Sequence, residues 1–555
     1  MTYDLRYEHW LPLRRRSGTV EWGTIASIVS RLHDDPVMAV ASPRADFDAA
    51  TTEFLIGVVT AAMAPTDLES WIDGWQAAPS EAKLQQRLDT LPGAFDLDGE
   101  GPRFMQDLSE AELAQQEQSP IQDLLLNSMN SSLFIKPGTV ERMSRAAAAM
   151  ALITAQSYST AAGRGYRTGM RGGGPLTTLA DPRAVTDDEV SLWQLLWANV
   201  ETLDQLRGRA QRSIRKAPAD IFPWLGPTRS SDASGKSTTT DDAHPLQAYF
   251  GMPRRIRLEF ADESGMCDIT GRTDVRMVTG FRVKGYGTQY VGWKHPLSPH
   301  YAGKAVNELL PVHPQPGGIG WRDWLPLLHA EAGSGKEPSA SVSAFASDRA
   351  DAIGLSSFAI RAFGYDATNA KLRSWVSASL PGFPATDPAR LNTFVATVRC
   401  LVDATDVAAF LVKAAVVSAL HASGDAPGDY AQVKSALWHS TEAWFFSRME
   451  VLVRADDIRT ASKMSKQAYI GVLTRESLSV FDEYAPSDAT RPEVLRRVIR
   501  ARFSLCNSLR GSGKMGDKIS VALDRESPMV KAESKSGVRA TKPKSNSTKA
   551  AQGTK

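Results

Sequence analysis

The 555-residue chain is poor in the features that mark secreted, membrane-spanning and disulfide-stabilised proteins. It has three cysteines, Cys267, Cys400 and Cys506, and their wide separation excludes both a CxxC metal site and a disulfide framework. No apolar run approaches the roughly 18 residues that a membrane span requires. The opening stretch MTYDLRYEHWLPLRRR lacks the apolar core of a signal peptide. We therefore expect a soluble protein of the reducing cytoplasm with no membrane association.

The motifs of metal-dependent and nucleotide-hydrolysing enzymes are also scarce. The chain has nine histidines, and none forms a helical HxxxH pair or a similar ligand pair. The His33-Asp34 pair resembles that of HD phosphohydrolases, but a histidine at a helix C-terminus is the ordinary explanation. The GKS sequence at 235–237 lacks the earlier glycine of a phosphate-binding loop, because Ser230 occupies that position. These absences favour binding over catalysis, and no cofactor or metal is expected.

Charge is distributed unevenly along the chain. The net charge is +2, but residues 511–555 contain ten Lys or Arg and four Asp or Glu, so the remaining residues carry −4. A weakly acidic body does not suit a protein that coats nucleic acid over its whole surface. Any contact with nucleic acid is therefore expected at clustered loops.

One glycine-rich stretch, 163–178 with the sequence GRGYRTGMRGGGPLTT, is the main candidate for such a contact. Successive backbone N–H groups of a glycine loop can form a donor site for phosphates or base edges. Arg164, Arg167 and Arg171 add forked, permanently charged donors. A mobile connector is the alternative interpretation of the stretch. For Arg171 the alternative is a set of bonds to loop carbonyls that hold the loop together.

The spacing of apolar residues predicts an α+β protein with two folded parts. Residues 1–385 combine amphipathic helices with antiparallel hairpins, which are clearest at 254–293. Residues 386–510 predict a four-helix bundle, because short connectors join four amphipathic segments: 387–423, 430–453, 461–484 and 491–509. Two segments are expected to be disordered. One is a loop at about 228–243, because its sequence is of low complexity, and the other is a basic tail at 511–555, because it has almost no large apolar residues.

Several patches of sequence, each weakly informative alone, occur in the order found in one protein family. The patches are EHWLPLRRRSG, PRFMQD, NSSLF, GRGYRTGMRGGGPLTT, YFGMPRRIRLEF, GWKHPLSPH and FGYDATNAK. In this order they resemble the CasA family, the large subunits of the type I-E Cascade complex of bacterial CRISPR immunity. The resemblance extends over residues 5–510, and a helical bundle closes the chain in both.

The resemblance implies a non-catalytic subunit with several partners: other Cascade subunits, the guide RNA, double-stranded target DNA and a helicase–nuclease. Such subunits read the protospacer-adjacent motif from the minor groove, help to open the DNA strands and dock the helicase–nuclease. Minor-groove reading distinguishes mainly A·T from G·C pairs, which fits tolerance of several motifs. Some relatives carry paired cysteines suggestive of zinc, and this chain lacks such pairs.

The resemblance also implies which residues contact nucleic acid. The glycine loop corresponds to residues 161–165, with Gly163, Arg164 and Gly165 at its centre, although some relatives are richer in glycine here. A lysine on a hairpin corresponds to Lys284, for which a solvated strand lysine is the alternative.

A wedge at a hairpin tip corresponds to Thr368, Asn369 and Ala370. Asparagine is also a favoured helix cap, so the alternative role of Asn369 is to cap a helix that begins near Ala370. The apolar loop tip at Leu133 and Phe134 corresponds to a loop placed against the guide-RNA end of the complex. Burial of these two side chains in the core is the alternative for that tip.

Two other function classes remain open. One is a nucleotide-binding or metal-dependent hydrolase built on the glycine loop and the His33-Asp34 pair, although no nucleophile–base grouping is recognisable in the sequence. The other is a scaffold whose helical bundle binds only protein.

Overall fold

The structure is a computed structural model of the chain. It describes residues 2–525 except 129–134, 162, 164, 184–189, 211–213, 232–235, 305–308, 331–334, 369, 386, 423–427 and 486–490. The chain divides into two compact units, Met1–Thr386 and Asp387–Lys555, and each is described by itself.

The strands of the first unit form several small antiparallel sheets. In chain order they are β1 (Leu11–Arg15), β2 (Val20–Gly23), β3 (Val37–Val40), β4 (Gln118–Pro120), β5 (Met143–Ser144), β6 (Thr177–Asp181), β7 (Arg255–Ala261), β8 (Gly265–Met266), β9 (Thr273–Asp274), β10 (Met277–Lys284), β11 (His300–Ala302), β12 (Leu309–Pro311), β13 (Lys336–Glu337), β14 (Phe358–Thr368) and β15 (Lys371–Gly382). The sheet orders are β2-β1-β3, β4-β10-β5 with β7 also on β10, β12-β11-β13, β15-β14-β6 and β8-β9. The antiparallel hairpins expected from the sequence are therefore confirmed.

The first unit contains eleven α-helices in its described residues. They are α1 (Ala45–Met63), α2 (Leu68–Gln76), α3 (Glu81–Asp89), α4 (Glu110–Ala114), α5 (Arg145–Tyr158), α6 (Leu192–Ala198), α7 (Leu203–Arg209), α8 (Pro218–Ile221), α9 (Leu325–Leu328), α10 (Ala340–Ala344) and α11 (Ala350–Ala352). Helix α5 packs against α1, and its run of buried alanines permits close approach. On the other side of α1, Phe54 meets Trp10, Phe95, Phe104 and Phe250 edge-on, with ring centroids 5.4–6.5 Å apart. These aromatic side chains are buried and form one cluster of the core.

The longest hairpin of the first unit is formed by β14 and β15. Thr368 pairs with Lys371, so the strand pairing continues to the end of the hairpin. Ala370 has φ +64°, a left-handed conformation typical of tight hairpin connections. Because Lys371 begins a strand, the expectation of a helix starting near Ala370 is wrong. The hairpin register excludes that helix, and with it the helix-cap role for Asn369.

The segment expected to be a disordered loop, 228–243, is anchored to the fold in its described parts. Ser231 is fully buried, and its N–H donates to the Tyr286 carbonyl at 3.2 Å. Thr238 is 2% exposed and forms a parallel bridge with Tyr290. The Ser231 hydroxyl also donates to the Gly287 carbonyl at 2.7 Å. A low-complexity sequence therefore does not exclude order where its polar groups bond to the folded chain.

The second unit consists of helices in its described residues. They are α12 (Pro388–Leu420), α13 (Ala431–Arg454), α14 (Ile458–Tyr484), α15 (Pro492–Leu509) and α16 (Gly513–Ala522). Helix α12 contacts each of the other four. It begins where Asp387 accepts hydrogen bonds from the N–H groups of Ala389 and Arg390, with Pro388 at the first helical position. The bundle of helices expected from the sequence is present.

Helix α16 corrects the expectation that residues 511–555 are a disordered tail from their first residue. Ile519 and Leu523 are 4% and 1% exposed, and α16 packs against α12 and α15. Lys466 of α14 donates to the Asp524 carboxylate at 2.8 Å. The segment is short and rich in Gly, Ser and Lys, and its helix is stabilised by packing on neighbouring helices.

Candidate nucleic-acid interface

The loop that follows α5 folds back on the end of that helix. The N–H of Gly169 donates to the Ser159 carbonyl at 3.0 Å, and the N–H of Gly174 donates to the Tyr158 carbonyl at 3.3 Å. These bonds satisfy carbonyls that the C-terminal end of a helix leaves unpaired. The later part of the loop is therefore bonded to the end of α5. Gly163, which is exposed, lies in the earlier part, before these two bonds.

Positions 163 and 165 both favour glycine because of their backbone angles, and position 165 also lacks room for a Cβ. Their φ angles are +71° and +76°, a region that glycine occupies without strain. A Cβ on Gly163 would meet nothing within 4 Å, so this part of the backbone faces open space. A Cβ on Gly165 would come within 3.0 Å of the Tyr286 ring. Arg164, which lies between them, is outside the described residues.

Arg171 lies inside the protein. Its guanidinium donates to Glu53 Oε2 at 2.5 Å, to Thr177 Oγ1 at 2.7 Å and to Ser298 Oγ at 3.2 Å. The Arg171 and Glu53 side chains are 4% and 6% exposed. The Tyr158 hydroxyl donates to the other Glu53 oxygen, and the Tyr158 ring centroid lies 5.3 Å from the guanidinium carbon. Burial, followed by the negative charge of Glu53, holds the pKa of Tyr158 well above its ordinary value.

This buried network corrects the expectation that Arg171 contacts nucleic acid. All three groups that receive its hydrogen bonds belong to the protein, and the side chain has almost no exposed surface. The alternative reading, in which Arg171 holds the loop together, describes its position. Its partners are side chains of α1, β6 and the segment before β11, and not the loop carbonyls that the sequence suggested.

Arg167 joins the glycine-rich loop to the buried residue Ser231. Its Nε donates to Ser231 Oγ at 2.7 Å and its Nη2 to the Ser231 carbonyl at 3.1 Å. Its guanidinium carbon lies 5.9 Å from the Tyr286 ring centroid. Arg167 is half-buried, and it keeps its positive charge beside the loop without a carboxylate among these partners.

Lys284 is the last residue of β10, and its side chain forms an ion pair at the surface. Its ammonium donates to Glu112 Oε2 at 2.8 Å, and Arg255 donates to the same oxygen at 2.6 Å. The side chains of Lys284 and Glu112 are 35% and 49% exposed. The hydrogen bond from Lys284, followed by that from Arg255, holds the pKa of Glu112 below its ordinary value. A ligand that takes Lys284 must therefore compete with Glu112.

The tip of the β14–β15 hairpin contacts the start of the loop. The Thr160 hydroxyl donates to the Ala370 carbonyl at 3.0 Å. Further along the hairpin, a Cβ on Gly174 would come within 2.7 Å of the Tyr365 carbonyl oxygen, so loop and hairpin backbones lie close together. Thr368 is exposed at the end of β14. Asn369 lies outside the described residues, as do Leu133 and Phe134.

Three residues that the sequence did not single out shape this region: Tyr286 and Glu112 at the surface, and the buried Glu53. The Tyr286 N–H donates to the Gly165 carbonyl at 2.8 Å and joins the loop to the turn after β10. Glycines on both sides of Tyr286 are a sequence signal for an unusual turn there. Glu53 and Glu112 sit on ordinary-looking helices, and nothing local marks them.

A cleft of about 870 Å³ lies beside the loop, and its lining includes Tyr166, Met170, Tyr290, Tyr301 and His313.

Among the residues that the structure describes, no group of three or more His, Cys, Asp and Glu side chains is placed to hold a metal ion. In the same part of the chain, no single helix is long and apolar enough to cross a membrane; one sharply bent pair, α1 with α2, meets the criterion by length and composition alone.

Solved structures share this architecture over nearly the whole chain. Cse1 from Thermobifida fusca is 17% identical with a TM-score of 0.66, and the match covers 94% of this chain and 98% of that one. Cse1 from Acidimicrobium ferrooxidans is 16% identical with a TM-score of 0.62, over 95% and 99% of the two chains. A chain of a structure described as a "CRISPR RNA-guided surveillance complex" is 16% identical with a TM-score of 0.65, over 91% and 99%.

The fold is thus that of a CRISPR-associated protein. A family model described as "CRISPR-associated protein Cse1" matches residues 4–474, which is most of the chain. The chain belongs to the Cse1 family, also called CasA, and the family resemblance inferred from the sequence is confirmed.

Proposed function

We propose that this chain is the large subunit of a type I-E Cascade complex and that it binds double-stranded DNA beside the target. Membership of the Cse1 family supports the proposal, as does the fold that the chain shares with a subunit of an RNA-guided surveillance complex. The other Cascade subunits and the guide RNA are then its partners. Its role is binding, with no catalytic step of its own.

One observation carries the proposal: three remote parts of the chain meet at one surface. The Thr160 hydroxyl bonds the Ala370 carbonyl, and the Gly165 carbonyl accepts from the Tyr286 N–H. Lys284 ends β10, two residues before Tyr286. The glycine loop therefore contacts both the hairpin tip and the turn that follows Lys284, and we name these three parts together the loop–hairpin surface.

The chemistry of the loop–hairpin surface suits the minor groove of DNA. The open side of Gly163 lets a backbone approach closely, and Lys284 and Arg167 supply positive charge that attracts phosphates. The minor groove offers mainly the acceptors of A·T pairs and one added donor for G·C pairs. A small set of donors there distinguishes classes of base pair, and we propose that the surface reads the protospacer-adjacent motif in this way.

We propose further that the tip of the β14–β15 hairpin promotes strand opening. The hairpin tip is narrow enough to enter between base pairs, and the chain there has the sequence Thr368-Asn369-Ala370. Separating one stacked step costs about a few kcal/mol, which polar contacts at the tip offset in part. The same proposal assigns Leu133 and Phe134 to the guide-RNA end of the complex and a docking surface to the helicase–nuclease.

Duplex binding by the assembled complex tests the proposal. Duplexes with a motif and with a scrambled motif are titrated at several salt concentrations with the wild type and with Lys284→Ala. We expect motif-dependent binding that weakens with salt, and about a tenfold loss in the variant, as one lost charged contact implies. Lys83→Ala on α3 is the control, because Lys83 is also exposed and is expected to leave binding unchanged.

The outcomes separate the three function classes. Equal affinity of the wild-type complex for both duplexes contradicts motif reading. An absence of duplex binding in the assembled complex leaves the protein-binding scaffold as the better description. Metal-dependent turnover of a nucleotide by the purified chain, abolished by changes at the glycine loop, contradicts the non-catalytic role.

A further inference from the structure

Tyr286 combines an unusual backbone with an exposed aromatic ring. Its φ is +60°, and it is one of five non-glycine residues with positive φ in the described part of the chain. Bulky side chains rarely adopt this conformation, because the Cβ crowds the following backbone. The residue is nevertheless 45% exposed, so burial of its ring does not explain why a tyrosine stands there.

Hydrogen bonds on both sides hold Tyr286 in this conformation. Its N–H donates to the Gly165 carbonyl at 2.8 Å, and its carbonyl accepts from the Ser231 N–H at 3.2 Å. Ser231 is fully buried, so the second bond fixes the turn to the interior. A strained backbone that its surroundings hold in this way is typical of functional positions.

The ring of Tyr286 rests on the glycine loop itself. A Cβ on Gly165 would approach the ring carbons Cδ1 and Cε1 to 3.0 Å, which is tighter than ordinary contact. Arg167, with its guanidinium carbon 5.9 Å from the ring centroid, flanks the ring on the loop side. The Tyr286 ring therefore packs against the Gly165 backbone, where only glycine leaves room for it. This contact leaves nearly half of the tyrosine exposed to solvent on the loop–hairpin surface.

We propose that Tyr286 is a DNA-contacting residue of the loop–hairpin surface, and this inference rests on the proposed function. Its ring packs against a sugar or base edge of the duplex beside the motif, and its hydroxyl donates to a minor-groove acceptor. A tyrosine suits this position, because its ring offers a rigid apolar face and its hydroxyl both donates and accepts. The fixed backbone presents the ring without further loss of conformational freedom.

Photo-crosslinking tests the contact directly. Tyr286 is replaced by 4-azidophenylalanine in the full chain, the complex is assembled, and a labelled motif duplex is added before irradiation. We expect a protein–DNA crosslink at position 286. The matched control places the same amino acid at Tyr7, which is 52% exposed and donates its hydroxyl to Asp89 at 2.8 Å. A yield at 286 no greater than that at 7 overturns the proposal.

Two substitutions separate contact from a merely structural role. Tyr286→Phe keeps the ring and its contact with Gly165 but removes the hydroxyl. We expect about a threefold loss of affinity for the motif duplex with an unchanged melting temperature. Tyr286→Ala removes the ring as well, and we expect about a tenfold loss, in the range found for aromatic contacts with bases. Wild-type affinity in both variants overturns the proposal.

The failure of this inference is distinguishable from failure of the proposed function. If the wild-type complex does not distinguish motif from scrambled duplex, the proposed function fails first. If the wild type distinguishes them while position 286 neither crosslinks nor affects affinity, only the role of Tyr286 is wrong.

Discussion

The two units place polar groups in their interiors in different ways. The first unit buries charged pairs, among them Arg171 with Glu53 and Arg209 with Glu201, whose side chains are at most 13% exposed. The first unit also buries hydroxyls that bond back to their own helix, such as those of Thr60 and Thr154. Among the described residues of the second unit, the buried polar side chains are all Ser or Thr. Thr405 donates to the Leu401 carbonyl one helical turn earlier at 2.7 Å, and its oxygen lies 2.6 Å from the Tyr469 hydroxyl.

The difference follows from backbone regularity. Helices satisfy their own N–H and C=O groups, so a buried hydroxyl that bonds back to its own helix is sufficient in the second unit. The loops of the first unit leave backbone and side-chain groups to be satisfied by long, charged side chains from elsewhere. Since the loop–hairpin surface consists of such loops, its shape depends on buried charges that never reach the surface themselves.

The largest expected effect comes from breaking a buried pair in the first unit. Glu53→Gln keeps the side-chain shape but leaves the Arg171 guanidinium without its counter-charge. We expect a loss of about 3–5 kcal/mol in the free energy of unfolding of that unit. Hydrogen–deuterium exchange, followed in peptides from each unit, measures it.

The matched control is an exposed pair in the second unit. Arg502 and Asp482 are 45% and 50% exposed at 2.8 Å, so Asp482→Asn is expected to change stability by less than about 1 kcal/mol. Similar losses in the two variants would contradict the larger contribution that burial gives to the Arg171–Glu53 pair.

Two truncations test whether α16 belongs to the second unit. Ending the chain at residue 511 removes the buried side chains of Ile519 and Leu523, and we expect a loss of about 3 kcal/mol from that unit. Ending it at residue 525 removes a stretch rich in Lys, Ser and Ala, and we expect an unchanged melting temperature. Calorimetry on both truncated chains measures their melting temperatures. Equal values would mean that α16 does not contribute to the stability of the second unit.

Mild acid is expected to weaken the first unit. Burial lowers the pKa values of His300 and His329 to about 4, and for His300 the charges of Lys294 and Arg171 act in the same direction. Unfolded histidine titrates near 6.5, so the unfolded chain binds more protons below that pH. Stability is therefore complete above pH ~6.5 and falls as the pH approaches 4, by roughly 1 kcal/mol per histidine at pH 5.5. Chemical denaturation at several pH values measures the slope.

His300→Phe is the matched variant for this pH dependence. Neither ring nitrogen of His300 has a hydrogen-bond partner of good geometry, and an adjoining cavity of about 280 Å³ leaves room for the larger ring. We expect wild-type stability at pH 7 and a shallower loss at pH 5.5. A slope identical to that of the wild type would assign the acid sensitivity to other groups.

The smallest expected effect concerns charge at the loop–hairpin surface, and it rests on the proposed function. Glu112→Gln removes the carboxylate that competes for Lys284, so we expect a two- to fivefold gain in duplex affinity with a steeper dependence on salt. The gain should be lost in the double variant with Lys284→Ala. An unchanged affinity in Glu112→Gln would mean that Lys284 stays paired when DNA binds.

Much of the architecture could be predicted from sequence because it depends on neighbours along the chain. Repeating apolar positions located the helices α12 to α15, and the strand patterns located the hairpin of β7 and β10. Gly163 and Gly165 were identified as loop residues from composition, and their positive φ angles agree with that interpretation. Helix α16 was missed because its stability comes from packing on α12 and not from local propensity.

The placement of charged and aromatic side chains required the folded chain. Arg167 and Arg171 are four positions apart in one glycine-rich stretch, yet Arg167 is half-buried and bonded to Ser231, whereas Arg171 is buried in an ion pair with Glu53. The contacts that separate them join residues 64 and 118 positions apart in sequence. No local pattern encodes such a partner, because hydrogen bonds and ion pairs depend on distance in space. For the same reason, the contact between the Tyr286 ring and Gly165 could not be predicted from the sequence, because it forms only when the fold brings the end of β10 to the glycine loop.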